Sequence, residues 1–505
     1  MTIMRVTMPA GHGGEIMAGH NRTQNRMAAG RAIISALALW LAFSGVAAGE
    51  QFYVNESGWW REDGVFNANG TPIQAASDVI RLTTTSSMDS DIAVYKKNVH
   101  IVWSDKRDNN WEIYYRKSID NGVTWEKDKR LTYDLGTSYP GSSYPRISVN
   151  GGNIYIVWQD DKDGNFEIYY KFSNDNGSSW SNDIKLTYTA GHSIQPDIAV
   201  SGDNIHIVWM EDYSNIFYIN SIDGGKTWSS EVELASTSFS SWCPSIEANG
   251  DNVHVAWRDR YSIWVPELGE KGKILYMRST DNGHSWATPI VLTETYTYGW
   301  ETVWKPGLAV NGNNVHIVWE NNSEIINFDI PKSDIYYLRS SDNGTTWNDK
   351  IRLTYSNDLN HPTVSAYGDF VHIAWREREP NALNYIISKD DGSTWSHVIS
   401  LSTSLKVFVY LAMAVTEDSA YIVWYDSAPD VGNFTDWREY SIFYNSIKVC
   451  PEESHTFTTT DAAIALQIAT GSRPPDSRWD VSRDGSVTSL DALMILQAAA
   501  HAIEL

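Results

Sequence analysis

Between residues 78 and 449 short apolar runs alternate with polar turns, and the alternation itself recurs as a unit. The most regular run is Asn98-Val-His-Ile-Val-Trp103, and equivalents end at Trp158, Trp209, Trp257, Trp319, Trp375 and Trp424. Period-two alternation over five or six residues that closes on an aromatic reads as a half-buried strand. A short apolar strand precedes each one: 91–94, 146–149, 197–200, 245–248, 307–310, 363–366 and 412–415. An aromatic strand follows, such as Glu112-Ile-Tyr-Tyr115 or Asp334-Ile-Tyr-Tyr337, then a turn, then a fourth strand such as Arg130-Leu-Thr132. Four short strands per repeat of 48 to 62 residues predict a β-propeller blade. The seventh unit stops after its third strand, 441–447, and the missing fourth appears upstream as Val79-Ile-Arg-Leu-Thr83. The expected fold is an all-β, seven-bladed β-propeller closed by its N-terminal strand, which removes the free sheet edge of an open array.

The turn between the third and fourth strands is written six times. It begins as Ser118-Ile-Asp120-Asn-Gly122-Val-Thr124-Trp125 and returns around Asp175, Asp223, Asp281, Asp342 and Asp390. Asp-Asn-Gly supplies a positive-φ position, and the Asp and Ser/Thr side chains hold their own turn. The closing Trp buries a large apolar face and fixes the turn on the sheet. These residues resemble the Asp-box, or BNR repeat, of the sialidase-like superfamily, where the box is a structural turn on the face away from the binding site. The resemblance implies scaffold, not activity. Sialidases proper are six-bladed and carry an Arg-Ile-Pro motif, an arginine triad and a Tyr/Glu pair with an acid/base Asp. This chain has no Arg-Ile-Pro; Arg146-Ile147-Ser148, in the second blade, is the nearest string.

Outside the repeat, Arg31 precedes the apolar run 32–43, which ends in small residues at Val46-Ala47-Ala48. Residues 1–48 therefore read as a signal peptide, with Met1 or Met27 as the start, and the mature protein is expected outside the cell or at its surface. The run is short for a bilayer span, so an uncleaved N-terminal anchor is the weaker alternative. Residues 49–77 show no period and read as a lead-in segment. The chain carries 39 basic and 62 acidic residues, a net charge of -23, which excludes a nucleic-acid groove or an anionic membrane surface as partner. Its two cysteines are too few for a disulfide framework.

From residue 450 to 505 the pattern changes. Asp480, Ser482, Asp484, Ser486, Thr488 and Asp491 place oxygen ligands at positions 1, 3, 5, 7, 9 and 12 of a loop with Gly485 at position 6. A helix is predicted from Asp491 to Gln497, and a half-repeat, Asp461 to Gln467, lies thirty residues earlier. The pair resembles a dockerin, a small all-α EF-hand-like module that calcium folds and that binds cohesin domains in polysaccharide-degrading assemblies. The first loop has lost its Gly and most ligands, so one calcium is expected, with a cohesin-like domain as partner.

Side chains that repeat around a ring serve the blades. This assigns the carboxylates after each Trp (Asp105, Asp160, Glu211, Asp259, Glu377 and Asp426) and His100, His206, His254, His316 and His372 to the scaffold. Residues that occur once are better site candidates. The loops joining second and third strands are long in blades four, five and seven, and the connections into blades four and five hold Trp242, Trp300 and Trp304. With Arg258, Arg260, Glu320, Arg376 and Glu377 these aromatics would suit a sugar, stacking on its faces and bonding its hydroxyls. The expected function is a secreted carbohydrate-binding or cell-surface recognition propeller attached to a cohesin-like partner. The alternative is a glycan-active hydrolase or lyase engaged in polysaccharide breakdown.

Overall fold

The computed structural model describes residues 4–7, 51–55, 58–61, 79–133, 141–235, 240–265, 269–297, 305–324, 332–354, 359–377, 382–402, 410–427 and 440–449. The chain divides into two compact units, Met1–Lys448 and Val449–Leu505. The loop expected to bind calcium and its flanking segments fall in the second unit, outside the described residues.

Seven four-stranded antiparallel sheets follow one another along the first unit, each in simple chain order except the last. That sheet runs Leu411–Val415, Ser419–Ser427, Tyr440–Lys448 and then Ile80–Arg81 from the far end of the unit. Tyr444 pairs with Ile80 and Phe443 with Arg81. The Leu82 N–H donates to the Ile442 carbonyl at 2.8 Å, and the Ile442 N–H donates to the Thr83 hydroxyl at 2.9 Å. The ring therefore closes inside a blade, as the displaced fourth strand predicts. A separate small sheet joins Met4–Thr7, Gln51–Asn55 and Gly58–Arg61.

The first strand of every blade touches the first strands of both neighbours, all the way round. These strands form the inner wall, and the second strands, each with its repeated Trp, fill the space between blades. Trp103, Trp158, Trp209, Trp257, Trp375 and Trp424 are among the largest fully buried side chains. Burying each contributes about 2–3 kcal/mol. In blade four the segment read as a long loop is sheet instead. Strands Asn252–Val265 and Gly269–Ser279 run on as a paired arm, and Ile290–Thr297 joins its edge. Its Arg, Glu and Lys residues break the alternation that marks a strand in sequence.

The boxes act between blades. In the first, the Gly122 N–H donates to Ser118 Oγ at 2.9 Å, while the Thr124 N–H and hydroxyl donate to the two Asp120 oxygens at 2.8 and 2.5 Å. The box Trp then stands edge-on against a Tyr of the preceding blade: Trp180 on Tyr115, Trp228 on Tyr170, Trp286 on Tyr218, Trp347 on Tyr276 and Trp395 on Tyr337. Trp125 meets Tyr444 of blade seven at 4.9 Å, across the closure. The Tyr hydroxyl reaches under the box glycine, where a Cβ would lie 2.3 Å or less from it in each of these six pairs. The box is thus a socket for the neighbouring blade's Tyr, in addition to holding its own turn.

Candidate functional site

The repeated polar groups bond chiefly within the scaffold. Asp105, Asp160, Glu211 and Asp259 each accept the indole N–H of the Trp two residues before, at 2.9 to 3.1 Å. Ser87, Ser142, Ser193 and Ser241 add hydroxyl donors to the same carboxylates. His100, His206, His254, His316 and His372 each pair Nδ1 with a Tyr hydroxyl on the next strand, at 2.6 to 2.8 Å.

A different position carries the variety. Just before the stretch that pairs regularly with the second strand, the first strand slips register at a bulge in blades one, two, three, four and six. A bulge re-aims the side chain it carries. The residue at this position is Asp89, Tyr144, Gln195, Cys243, Lys305, His361 or Tyr410, going round the ring. Five of these seven hold φ between +51° and +56° (Asp89, Tyr144, Gln195, Cys243 and His361). For non-glycine residues this left-handed backbone is uncommon and strained, and such strain clusters at functional sites. Six side-chain types at one backbone position, with only Tyr occurring twice, set this position apart from the repeated scaffold residues.

These seven side chains form a collar. Cys243 Sγ donates to Gln195 Oε1 at 3.2 Å, and the rings of His361 and Tyr410 lie 5.2 Å apart, with Tyr425 6.1 Å beyond. The Tyr144 N–H donates to the Asp89 carboxylate. Burial pushes the Asp89 carboxyl up to about 6, against the pull of Arg146. The Asp89 charge, with burial, holds the Tyr144 hydroxyl well above its ordinary value. Burial likewise raises Tyr410 and Tyr425, and it takes the Cys243 thiol up to about 11. Arg146, Arg258 and Lys305 all act electrostatically on Cys243, which places positive charge at the collar.

Two to four residues further along these strands lies a charged layer. Lys305 Nζ meets Asp197 at 2.6 Å and Arg146 Nε meets it at 3.9 Å. The backbone N–H groups of Ile147 and Ile246 donate to Asp91 and Asp197. Burial and the nearby Asp197 and Asp91 carboxylates push Glu247 up to about 8, against Lys305. Arg146, Asp91 and Glu247 keep partial exposure, so they line the central channel instead of packing into a blade.

Of the residues expected from sequence, Arg258 is buried opposite Trp242 in blade four and reaches the collar through its charge on Cys243. Arg376 is buried and acts on Tyr425. Glu320 accepts the His361 N–H at 3.3 Å, so it supports a collar residue. Glu377 accepts from Asn384 at 2.6 Å within its own blade. Trp242 packs half-buried between blades three and four. Arg260 sits in the blade-four arm, paired with Ser240 and Gly272 through its backbone. Trp300 and Trp304 lie outside the described residues. The collar was overlooked because each member sits one step before an apparent strand start. Its sequence signal is an X-Pro pair in five blades: Tyr144-Pro145, Gln195-Pro196, Cys243-Pro244, Lys305-Pro306 and His361-Pro362.

No resident metal is indicated by the described residues, among which no group of three His, Cys, Asp or Glu side chains is arranged to hold an ion. A family model described as a BNR repeat-like domain matches residues 84–307, which spans the first four blades. Among solved structures, the polysaccharide lyase Uly1 is similar over 75% of this chain and 93% of its own, with 11% identity and a TM-score of 0.50. A PL25 ulvan lyase bound to a GlcA(1-4)Rha3S unit matches over 72% of this chain and 95% of its own, with 14% identity and a TM-score of 0.49. The Hadza microbial sialidase Hz136 matches over 71% and 74%, with 12% identity and a TM-score of 0.40. At these identities the likeness is one of fold. A comparison with curated protein sequences returns no match.

Proposed function

We propose that this propeller is a glycan-active enzyme that cleaves an acidic polysaccharide by β-elimination at the collar. One observation carries the reading: Asp89 and Tyr144 are neighbours whose environments suit them to opposite proton tasks. A carboxyl with its pKa near 6 is largely ionised at neutral pH and still a competent base, and a tyrosine raised above its ordinary value is a held proton. In the proposed step Arg146 and Arg258 offset the uronate carboxylate, which makes the adjacent C5–H more acidic. Asp89 takes the C5 proton, the C4–O bond breaks, a C4=C5 double bond forms, and Tyr144 gives its proton to the departing oxygen. Transfer of the proton from Asp89 back to Tyr144 resets the pair. A hydrolase needs two carboxylates flanking the bond, and the collar supplies one, Asp89. A module that only binds has no use for a matched base and acid.

The test is incubation of the exported protein with uronic-acid polysaccharides, followed by ultraviolet absorbance of the unsaturated uronate and by reducing-end analysis. Asp89→Asn and Tyr144→Phe should each lower turnover at least a hundredfold while melting stays near that of the parent. New reducing ends without unsaturation would identify a hydrolase, and binding with no product would restore the recognition reading.

The leader supports export. The spacing of Asp480, Ser482, Asp484, Ser486, Thr488 and Asp491 supports a single calcium, which would order the 450–505 module for a cohesin-like partner and so deliver the propeller to an assembly working on the same polymer.

A further inference from the structure

The collar is reached from outside along a line of aromatic rings that the proton chemistry does not use. Phe166, in the turn after the second strand of blade two, lies 5.8 Å from His192 in the connection to blade three. His192 lies 6.2 Å from Tyr213, in the corresponding turn of blade three, and Tyr213 lies 6.3 Å from Trp242. Trp242 is the residue before the collar member Cys243, and it pairs across the strand with Arg258. Phe166, His192 and Tyr213 belong to turns and connections at the collar end of the blades, and Trp242 lies near the start of the first strand of blade four. The inner and outer ones, Trp242 and Phe166, are seated against the core between blades three and four, whereas Tyr213 keeps 46% of its surface exposed.

The middle of this line is held rigidly at a conformational cost. Asp212 and Tyr213 have φ of +48° and +57°, and for a bulky aromatic such a backbone is a genuine outlier. Reciprocal bonds fix the loop. The His192 N–H donates to Asp212 Oδ1 at 2.9 Å, and the Asp212 N–H donates to the His192 carbonyl at 2.9 Å. The Ser241 N–H donates to the Ser214 carbonyl at 3.0 Å, which ties the same loop to the strand bearing Trp242. Gly191 is required for the fit, since a Cβ there would lie 2.3 Å from the Asp212 carboxylate. An aromatic that only filled space between loops would be buried by them. Here the backbone is strained and cross-tied so that the ring stays half in water.

We infer that Phe166, His192, Tyr213 and Trp242 form a stacking track for further sugar rings of a polymeric glycan, running from the rim of blade two to the collar at blade four. The inference rests on the glycan-active reading of the collar and adds that the substrate is a chain held over several residues, so cleavage falls within the polymer. Ring faces of sugars lie on the aromatics, and the positive charge of Arg258 draws an acidic unit to the inner end.

The experiment compares Tyr213→Ala, Tyr213→Phe and the parent on polygalacturonate, alginate, glucuronan and ulvan, each as polymer and as purified disaccharide and tetrasaccharide. The expected result for Tyr213→Ala is a KM for polymer raised about fivefold to tenfold, with kcat, melting and disaccharide kinetics unchanged. Tyr213→Phe should behave as the parent, because stacking needs the ring and not the hydroxyl. An unchanged polymer KM in Tyr213→Ala, or an equal rise for disaccharide and polymer, would overturn the track and leave the collar reading intact. A parent protein that neither cleaves nor binds any of the four polymers would overturn both.

Discussion

Replacing Gly225 by Ala tests the account of the boxes as sockets between blades. Gly225 has φ +85°, and an added Cβ would lie 2.3 Å from the Tyr170 hydroxyl oxygen and 2.9 Å from its ring carbon. The left-handed backbone costs an alanine about 1–2 kcal/mol, and the overlap adds about 1–3 kcal/mol if the blades must part slightly. A propeller of this size has an unfolding entropy of roughly 0.8 kcal/mol per degree, so the expected fall in Tm is about 3–6 °C. The informative partner is Tyr170→Phe. The Tyr170 hydroxyl is buried without a hydrogen-bond partner, so its removal alone should be neutral or slightly stabilising. In the double variant the nearest clashing atom is gone, and most of the overlap should be recovered while the backbone part remains. Blade four supplies the contrast. Tyr276 lies under Gly344 in the same way, but its hydroxyl is bonded to His254 at 2.6 Å. Tyr276→Phe therefore orphans the His254 nitrogen and should fail to rescue Gly344→Ala. Differential scanning calorimetry on the four singles and two doubles decides the matter. Strict additivity in the Gly225/Tyr170 pair would refute the socket.

Three further outcomes are expected. Deleting residues 78–84 removes the strand that pairs with Phe443 and Tyr444, so it should expose a sheet edge and lower Tm of the whole ring; a truncated protein that melts like the parent would sink the closure. Burial keeps His100, His206 and His254 neutral with pKa near 4, and His372 near 3. The unfolded chain binds protons first, so the stability present above pH 6.5 should drain as pH falls toward 4, by about 3 kcal/mol per histidine at the limit. Asp120, Asp223, Asp281 and Asp342, lowered to about 2 by the hydroxyls of Thr124, Thr227, Ser285 and Thr346, extend the loss from pH 4 toward 2. A flat Tm from pH 7 to 4.5 contradicts the buried neutral histidines. Finally, calcium should protect residues 450–505 of the full chain from proteolysis and Asp480→Ala with Asp484→Ala should abolish the protection; equal resistance in chelator argues against the ion.

Much of the scaffold was legible in the chain because its information is local and repeated. The Trp at the end of each second strand, the box and the displaced Val79–Thr83 strand each leave a mark within a few residues, and repetition multiplies the mark. What joins one blade to the next leaves no such mark. Tyr115 and Gly177 are far apart in sequence, and nothing in either says that one lies under the other. The collar escaped for the opposite reason. Its backbone recurs in five of the seven blades, but Asp89, Tyr144, Gln195, Cys243, Lys305, His361 and Tyr410 bring six kinds of side chain to seven positions, so a search for recurring side chains passes over them. The search for single residues in long loops looked a few positions away. It found Arg258 and Arg376, which act on the collar from the second strand, and Glu320, which holds His361 in place.

The six sockets around a ring of seven interfaces leave one unfilled. Tyr385 of blade six, bonded to His372 as four of its counterparts are to theirs, faces a blade that carries no box. The reason is topological: the third strand of blade seven is where the chain leaves the ring, and its edge is filled by a strand arriving from the start. The molecule therefore resembles a bracelet whose clasp and thinnest link are adjacent. Opening by heat, force or crowding by a large ligand should begin between blades six and seven, and the rest should hold as an arc. His361 and Tyr410, the collar residues of those two blades, would part first, so the same weak link sets how far the collar can widen.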